Sequence, residues 1–139
     1  MDEQVARRAF EEALSSHEPA FERFFLARLL DLQFAYESES CIVMFEAKDF
    51  MFNPQGSLHG GIIATVMDIS MGHLLKHVQG PGTTLEMKTQ YVKAARQGTL
   101  RCVGELTKLG QGVSYLRSTL TDDVGDVVAF ATATWKRLK

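Results

Sequence analysis

No apolar run in the chain approaches the roughly 20 residues that a bilayer-spanning helix requires, so the sequence contains no candidate transmembrane helix. The opening residues Met1-Asp2-Glu3-Gln4, followed by Arg7-Arg8 and then acidic residues, lack the basic-then-apolar order of a secretory signal, which makes the cytoplasm the expected compartment. Cysteine is scarce. Cys41 and Cys102 are the only two, both in alternating apolar segments, so a disulfide framework is excluded and each thiol reads as a small buried hydrophobe rather than a nucleophile. Neither sign of charge dominates, and a formal net charge of -2 lacks the basic excess by which nucleic-acid binders are recognised. Repeats, low-complexity tracts and linkers are also missing, so the chain is expected to form one domain, 1–139.

What is present is an ordinary globular composition, 45% hydrophobic, arranged in two distinct periodicities. Between Glu3 and Ser15, Val5, Ala9 and Ala13 recur every four residues beside Phe10 and Leu14, which predicts a helix packed on the outside. Ser16-His17-Glu18-Pro19 breaks it, and an apolar segment from Phe21 to Leu26 leads into strict alternation at Leu30, Leu32, Phe34 and Tyr36, the mark of a half-buried strand. Cys41 to Ala47 reads as its hairpin partner. After a loop from Lys48 to Ser57 comes a long helical segment, about Leu58 to Gln79, stopped by Gly80-Pro81-Gly82. Four strand-like runs follow, near Thr83–Lys93, Thr99–Leu109, Val113–Thr121 and Val127–Lys136, with separators too short for crossover helices. They are expected to be consecutive antiparallel neighbours. The long helix is apolar around too much of its circumference for a surface position, so the economical fold is an α+β one: a single antiparallel sheet wrapped around that helix. Gly61, Thr65, Asp68 and Gly72 form a narrow stripe of small residues along it, where close approach of another backbone is expected.

The chemistry concentrates where that helix begins. Asn53-Pro54-Gln55-Gly56-Ser57-Leu58-His59-Gly60-Gly61 runs directly into it, and a helix start has unpaired N–H groups and positive partial charge. A bare Gly-Gly start would offer such donors to an incoming oxygen, as an oxyanion hole does. One carboxylate, Asp68, follows within the helix.

This arrangement of Asn53, a short spacer, His59-Gly60-Gly61, and then Asp68 resembles the hotdog-fold acyl-CoA thioesterases, in particular the PaaI-like branch related to the phenylacetate-pathway thioesterase. The resemblance covers roughly residues 29–137 as a hotdog core, with 1–28 as an N-terminal helical extension. It implies a homodimer, often a dimer of dimers, acting on acyl-CoA without a metal or redox cofactor, because coenzyme A is part of the substrate. On this likeness Asp68 is the general base or the nucleophile, and Gly60 donates its N–H to the oxyanion. Asn53 offers its amide to the same oxygen or to the loop that holds it, and His59 positions the loop. Thr84 matches the place of a hydroxyl near the attacking water, with Thr83 next to it leaving a one-residue ambiguity. Gly61 serves close packing and substrate approach. Phe50, Phe52, Met67 and Met71 are candidates for an apolar acyl pocket.

Helical geometry adds one constraint. His59 and Asp68 are nine positions apart, which turns the second to the opposite side about 13 Å along the axis. A site using both ends would need a second subunit, and a two-fold dimer with two shared sites supplies it. His73 and His77 have the i, i+4 spacing of zinc ligands but neither an intervening Glu nor a third ligand, so they are assigned to the helix end, where positive character suits the dipole. Lys88, Lys93, Arg96, Lys108 and Arg117 are cations available to coenzyme A phosphates. Two alternatives remain at this stage: a non-catalytic acyl-CoA-binding module, and a hotdog hydratase or dehydratase of enoyl or 3-hydroxyacyl thioesters.

Overall fold

The computed structural model describes Met1–Lys139. Its elements are α1 (Glu3–Ser16), α2 (Phe25–Leu29), β1 (Gln33–Glu37), β2 (Ser40–Ala47), a 3-10 turn (Asp49–Met51), α3 (Gly60–Val78), β3 (Gly82–Tyr91), β4 (Gly98–Lys108), β5 (Val113–Thr121) and β6 (Val127–Arg137). All six strands join one antiparallel sheet in the order β1-β2-β4-β5-β6-β3. The sheet wraps α3, the hotdog arrangement expected from the resemblance. Period-two alternation explains how. Cys41, Val43, Phe45 and Ala47 of β2, Leu100 and Cys102 of β4, Leu116 and Leu120 of β5, and Ala131, Ala133 and Trp135 of β6 all turn to the helix side and are buried. Met67, Met71, Leu74 and Leu75 of α3 fill the space between them and are fully buried. Each such side chain contributes about 1.5–3 kcal/mol through its removal from water.

The four C-terminal strands depart from the expected order. β4, β5 and β6 form a meander, but β3 pairs with β6 and lies at the sheet edge, not beside β4. A short separator did not force a hairpin because six residues, 92–97, reach about 20 Å, and three strand spacings are only about 14 Å. This connection is held on the way: Val92 and Lys93 N–H groups donate to the Val128 carbonyl, and the carbonyl of buried Ala95 accepts from Leu58 N–H.

The first strand also starts later than the alternation predicts. Leu30 and Leu32 are buried as expected, but Leu30 N–H bonds back to the Leu26 carbonyl and Leu32 N–H to the Ala27 carbonyl, so both close the turn after α2. Asp31, at a φ of 53°, reverses the chain between them. In α1, the Asp2 carboxylate caps the Gln4 and Val5 amides, and Ala9 and Ala13 face inward, while Phe10 and Leu14 remain exposed.

The long helix is two residues shorter at its start and one shorter at its end than predicted. The expected close backbone approach occurs, but not on the stripe of small residues: Gly72 meets the Trp135 ring, and it is Ser70 that comes close to backbone, at Gly104 of β4. Cys41 and Cys102 are fully buried free thiols. Cys41 pairs across the sheet with Gly104 and Cys102 with Val43, so the thiols are diagonal neighbours rather than direct partners. Ser70, Ser118 and Cys102 share hydrogen bonds beneath the helix, with Ser70 Oγ also donating to the Met67 carbonyl.

A Cβ on Gly104 would lie 2.6 Å from the Ser70 carbonyl oxygen and 2.7 Å from its carbon. Gly104→Ala is therefore expected to lift α3 from β4 and lose about 1–3 kcal/mol. Urea denaturation measures this, and a variant as stable as the wild type would show that the approach does not constrain the fold.

Candidate active site

The loop before α3 is organised by Asn53. Its Oδ1 accepts from Gln55 N–H at 3.0 Å and Ser57 N–H at 3.2 Å, and its Nδ2 donates to Ser57 Oγ at 3.0 Å. The backbone tightens the same turn, with Gly56 at a φ of 85° and a bridge between Phe52 and Leu58. Asn53 thus holds the loop. Arg96 braces it from outside through the Gly56 carbonyl.

His59 is the N-cap of α3: its Nδ1 accepts from Gly61 N–H at 2.8 Å. The helix start is consequently not bare. Ile62 and Ile63 N–H groups go to the His59 carbonyl, Gly61 N–H is taken by the imidazole, and Gly60 N–H alone has no acceptor in the chain. That group is the one free donor at the positive end of a 19-residue helix. Tyr91, which the sequence reading did not single out, packs beside Gly60. The Tyr91 hydroxyl donates to the Gly60 carbonyl at 2.9 Å, and its ring lies 3.4 Å from where a Cβ on Gly60 would be. A tyrosine ending a strand is common enough that nothing in sequence marks this one.

Asp68 sits half-buried in the middle of α3, and Thr84 Oγ1 donates to its Oδ1 at 2.7 Å. Of the two adjacent threonines, it is Thr84 that reaches the carboxylate. Burial raises the Asp68 carboxyl above its ordinary value, and the Thr84 hydrogen bond, which favours the ionised form, offsets part of that rise. The carboxylate opens onto a cavity of about 380 Å³. Ile69, Gly72 and His73 continue its helix wall, Trp135 and Gly82 belong to the sheet, and Pro19, Ala20, Phe21 and Phe24 close it from the N-terminal extension. None of these aromatic residues was predicted to line a pocket. The apolar cluster Phe21–Leu26 was visible in sequence, but its destination was not.

Gly60 lies in a different cleft, with Asn53, Tyr91 and Ala95, and the two cavities share no lining residue. Eight residues of helix separate Gly60 from Asp68, a rise of about 12 Å. One chain does not bring the donor and the acid together.

Several expected residues lie elsewhere. Met67 and Met71 are fully buried in the core and present no surface to a ligand, whereas Phe50 and Phe52 are half-buried against that core. His73 is a core histidine and not a cation at the helix end. Its Nδ1 faces the Ile69 carbonyl at 3.0 Å and its Nε2 accepts from Glu22 N–H at 3.1 Å, so the ring is neutral, and burial holds its pKa below the ordinary value. Both nitrogens are occupied, which removes it as a metal ligand. His77 stacks on Tyr36. Among the cations considered for coenzyme A, Lys93 is held by Asp122 and Asp126, and Arg117 pairs with Glu105.

Residues 55–129 match the family model described as thioesterase superfamily. The chain belongs to the thioesterase superfamily. No curated protein matches this thioesterase-superfamily chain by sequence. Among solved structures, the Escherichia coli PaaI protein from the phenylacetic acid degradation operon superposes with a TM-score of 0.82 at 15% identity, over 97% of this chain and 96% of that one. The conserved protein PA5202 of Pseudomonas aeruginosa gives 0.76 at 24% identity, over 81% and 93%. The protein smu.793 of Streptococcus mutans UA159, solved bound to acetyl CoA, gives 0.71 at 29% identity, over 76% and 86%.

Because the folded-state pKa of Asp68 is raised, its protonation favours the native state between the ordinary 3.8 and the folded value. The stability it confers is complete below about 3.8 and is lost as pH rises through the folded pKa. Asp68→Asn should therefore melt at a higher temperature than the wild type at pH 7, with the gap closing toward pH 4. Thermal denaturation at both pH values checks this. A variant that melts lower at pH 7 would mean that the bond from Thr84 outweighs the cost of burying the charge.

Proposed function

We propose that this thioesterase-superfamily chain hydrolyses acyl-CoA thioesters at sites shared between two subunits of a homodimer. Two such dimers associating as a tetramer is an extension of the same reading. The observation that carries it is the separation of two matched halves: a free Gly60 N–H at a helix start, and a half-buried, Thr84-oriented Asp68 carboxylate on a cavity. A two-fold partner would set the Asp68 of one subunit opposite the Gly60 of the other. The edge strand β3, unpaired on its outer side, is a surface on which such a partner would dock. The acetyl CoA carried by smu.793 supports the substrate class.

In this mechanism Asp68 takes a proton from water as the oxygen attacks the thioester carbonyl, or attacks the carbonyl itself and is released by water. The developing oxyanion is met by Gly60 N–H. Coenzyme A then leaves as a thiolate, which needs little acid assistance. Thr84 keeps one carboxylate oxygen fixed and leaves the other for the reaction. Asn53 and His59 hold the loop that aims Gly60, and Gly61 and Phe52 flank the approach of the substrate. The raised pKa suits a base, because a more basic carboxylate accepts a proton more readily.

Free-thiol release from short, long and aromatic acyl-CoAs tests the proposal. Asp68→Ala should lose about 10²–10⁴-fold in kcat. Wild-type activity should rise with pH through an inflection above the ordinary aspartate value. Saturable binding of acyl-CoA with no release would overturn hydrolysis in favour of a binding module. The shared site has its own test in Gly60→Pro, which deletes the N–H yet suits the first helical position, since the extended His59 tolerates a following proline. It should cost about 10²–10³-fold. Mixing inactive Asp68→Ala and Gly60→Pro subunits should restore activity that neither shows alone, and failure of mixed dimers to do so would overturn the shared site.

A further inference from the structure

We infer that Tyr91 is a positioning residue for the oxyanion donor: by holding the Gly60 carbonyl, its hydroxyl keeps the first turn of α3 wound and the free Gly60 N–H in place. This inference rests on the thioesterase reading and deepens it, by assigning a further residue to that site.

Two peptide units meet at Gly60. The first, between His59 and Gly60, carries the free N–H, and its carbonyl accepts from the Ile62 and Ile63 N–H groups at 3.0 and 3.2 Å. The second, between Gly60 and Gly61, is gripped by a side chain at each of its polar ends. Its N–H donates to His59 Nδ1 at 2.8 Å, and its carbonyl accepts from the Tyr91 hydroxyl at 2.9 Å. His59 is a local grip. Tyr91 reaches in from the end of β3, 31 residues further on, and so ties the helix start to the sheet.

The grip answers a weakness of this helix start. Glycine loses more backbone freedom on folding than any other residue, two stand here in succession, and the first turn is where a helix frays. Unwinding that turn would carry Gly60 and its N–H out of place, whereas an oxyanion donor works by being in position before the charge develops. Tyr91 is itself well anchored. It stands opposite Ala129 of β6, and the next two N–H groups, of Val92 and Lys93, donate to the Val128 carbonyl at 2.8 and 3.2 Å. Its side chain is 54% exposed, so the core does not require it, and the Gly60 carbonyl is the one partner of its hydroxyl in the chain. Thr84, which orients Asp68, belongs to the same strand. One strand therefore fixes both groups on which the proposed reaction rests.

The test is Tyr91→Phe, which keeps the ring beside Gly60 and deletes only the hydroxyl, assayed by free-thiol release from short, long and aromatic acyl-CoAs. Its kcat should fall about tenfold while KM stays within about twofold of wild type, because the donor acts on the transition state and not on bound substrate. The loss should disappear in a Gly60→Pro background: with the N–H already gone, removing the hydroxyl should cost less than about twofold of the residual turnover. A merely structural hydroxyl would not produce that difference. Equal losses in both backgrounds, a raised KM with unchanged kcat, or a changed assembly state on size-exclusion chromatography would overturn the assignment, as would a Tyr91→Phe enzyme as fast as wild type. A second readout does not depend on turnover. Hydrogen exchange of the Gly61 amide, followed by NMR, should quicken in Tyr91→Phe while that of Leu116 in β5 stays as in wild type. Unchanged Gly61 exchange would overturn the grip. Absence of thiol release from every acyl-CoA in the wild type would instead overturn the thioesterase reading, and the Gly61 exchange would then decide by itself whether Tyr91 holds the helix start.

Discussion

Enclosure of α3 is the constraint on which the rest of the structure depends. A helix that is apolar around most of its circumference has to be surrounded, and one sheet curled around it does so only if backbone can come close in places. Gly104 under Ser70 supplies such a place, and Gly72 leaves room for the Trp135 ring. Enclosure also dictates how each polar group on the helix is treated. Ser70 is satisfied by Met67 and Ser118, and His73 by Ile69 and Glu22, because an unpaired polar group in that position would cost about 1–3 kcal/mol. Asp68, the one carboxylate on the helix, stays at the margin, where Thr84 meets it on one side and a cavity on the other.

The same enclosure keeps apart the two groups on which the proposed chemistry rests. The free N–H belongs to the helix terminus, and the acid lies two turns further along. Moving either toward the other would break the cap made by His59 or take Asp68 away from Thr84. The helix therefore gives each chain a free N–H and a half-buried carboxylate that do not share a cavity, and under the proposed hydrolysis a second copy would be needed to bring them together.

Much of this was legible in the residues themselves. Alternation located the inward faces of the strands, the apolar circumference of 60–78 required a wrapped helix, and the run from Asn53 to Asp68 held the loop, the cap and the carboxylate from which the candidate site is built. Strand order was not legible, because a six-residue connection is long enough either to turn back or to cross three strand spacings, and what decides between them is long-range: the pairing of β3 with β6, the bonds of Val92 and Lys93 to Val128, and that of Leu58 to Ala95. Periodicity also misassigned Leu30 and Leu32, whose burial is compatible with a strand or with the turn that ends α2. The cavity was the least legible feature. Its walls come from residues 19–24, 68–73 and 135, and no local pattern shows that an N-terminal aromatic cluster settles beside an acid in the middle of the chain. His73 illustrates the same limit: its spacing from His77 suggested a charged helix end, and its neutrality comes from Glu22, 51 residues away.

The two cysteines give the enclosure a further meaning. Both thiols lie fully buried beneath α3, diagonal across β2 and β4, and burial pushes them up to about 12 for Cys41 and about 11 for Cys102. In the closed molecule neither is a thiolate at neutral pH, and neither can be reached. Alkylating reagents can therefore modify them only while the sheet has come away from the helix. The chain thus carries a built-in clock for its own opening, placed at the contact that holds the fold together.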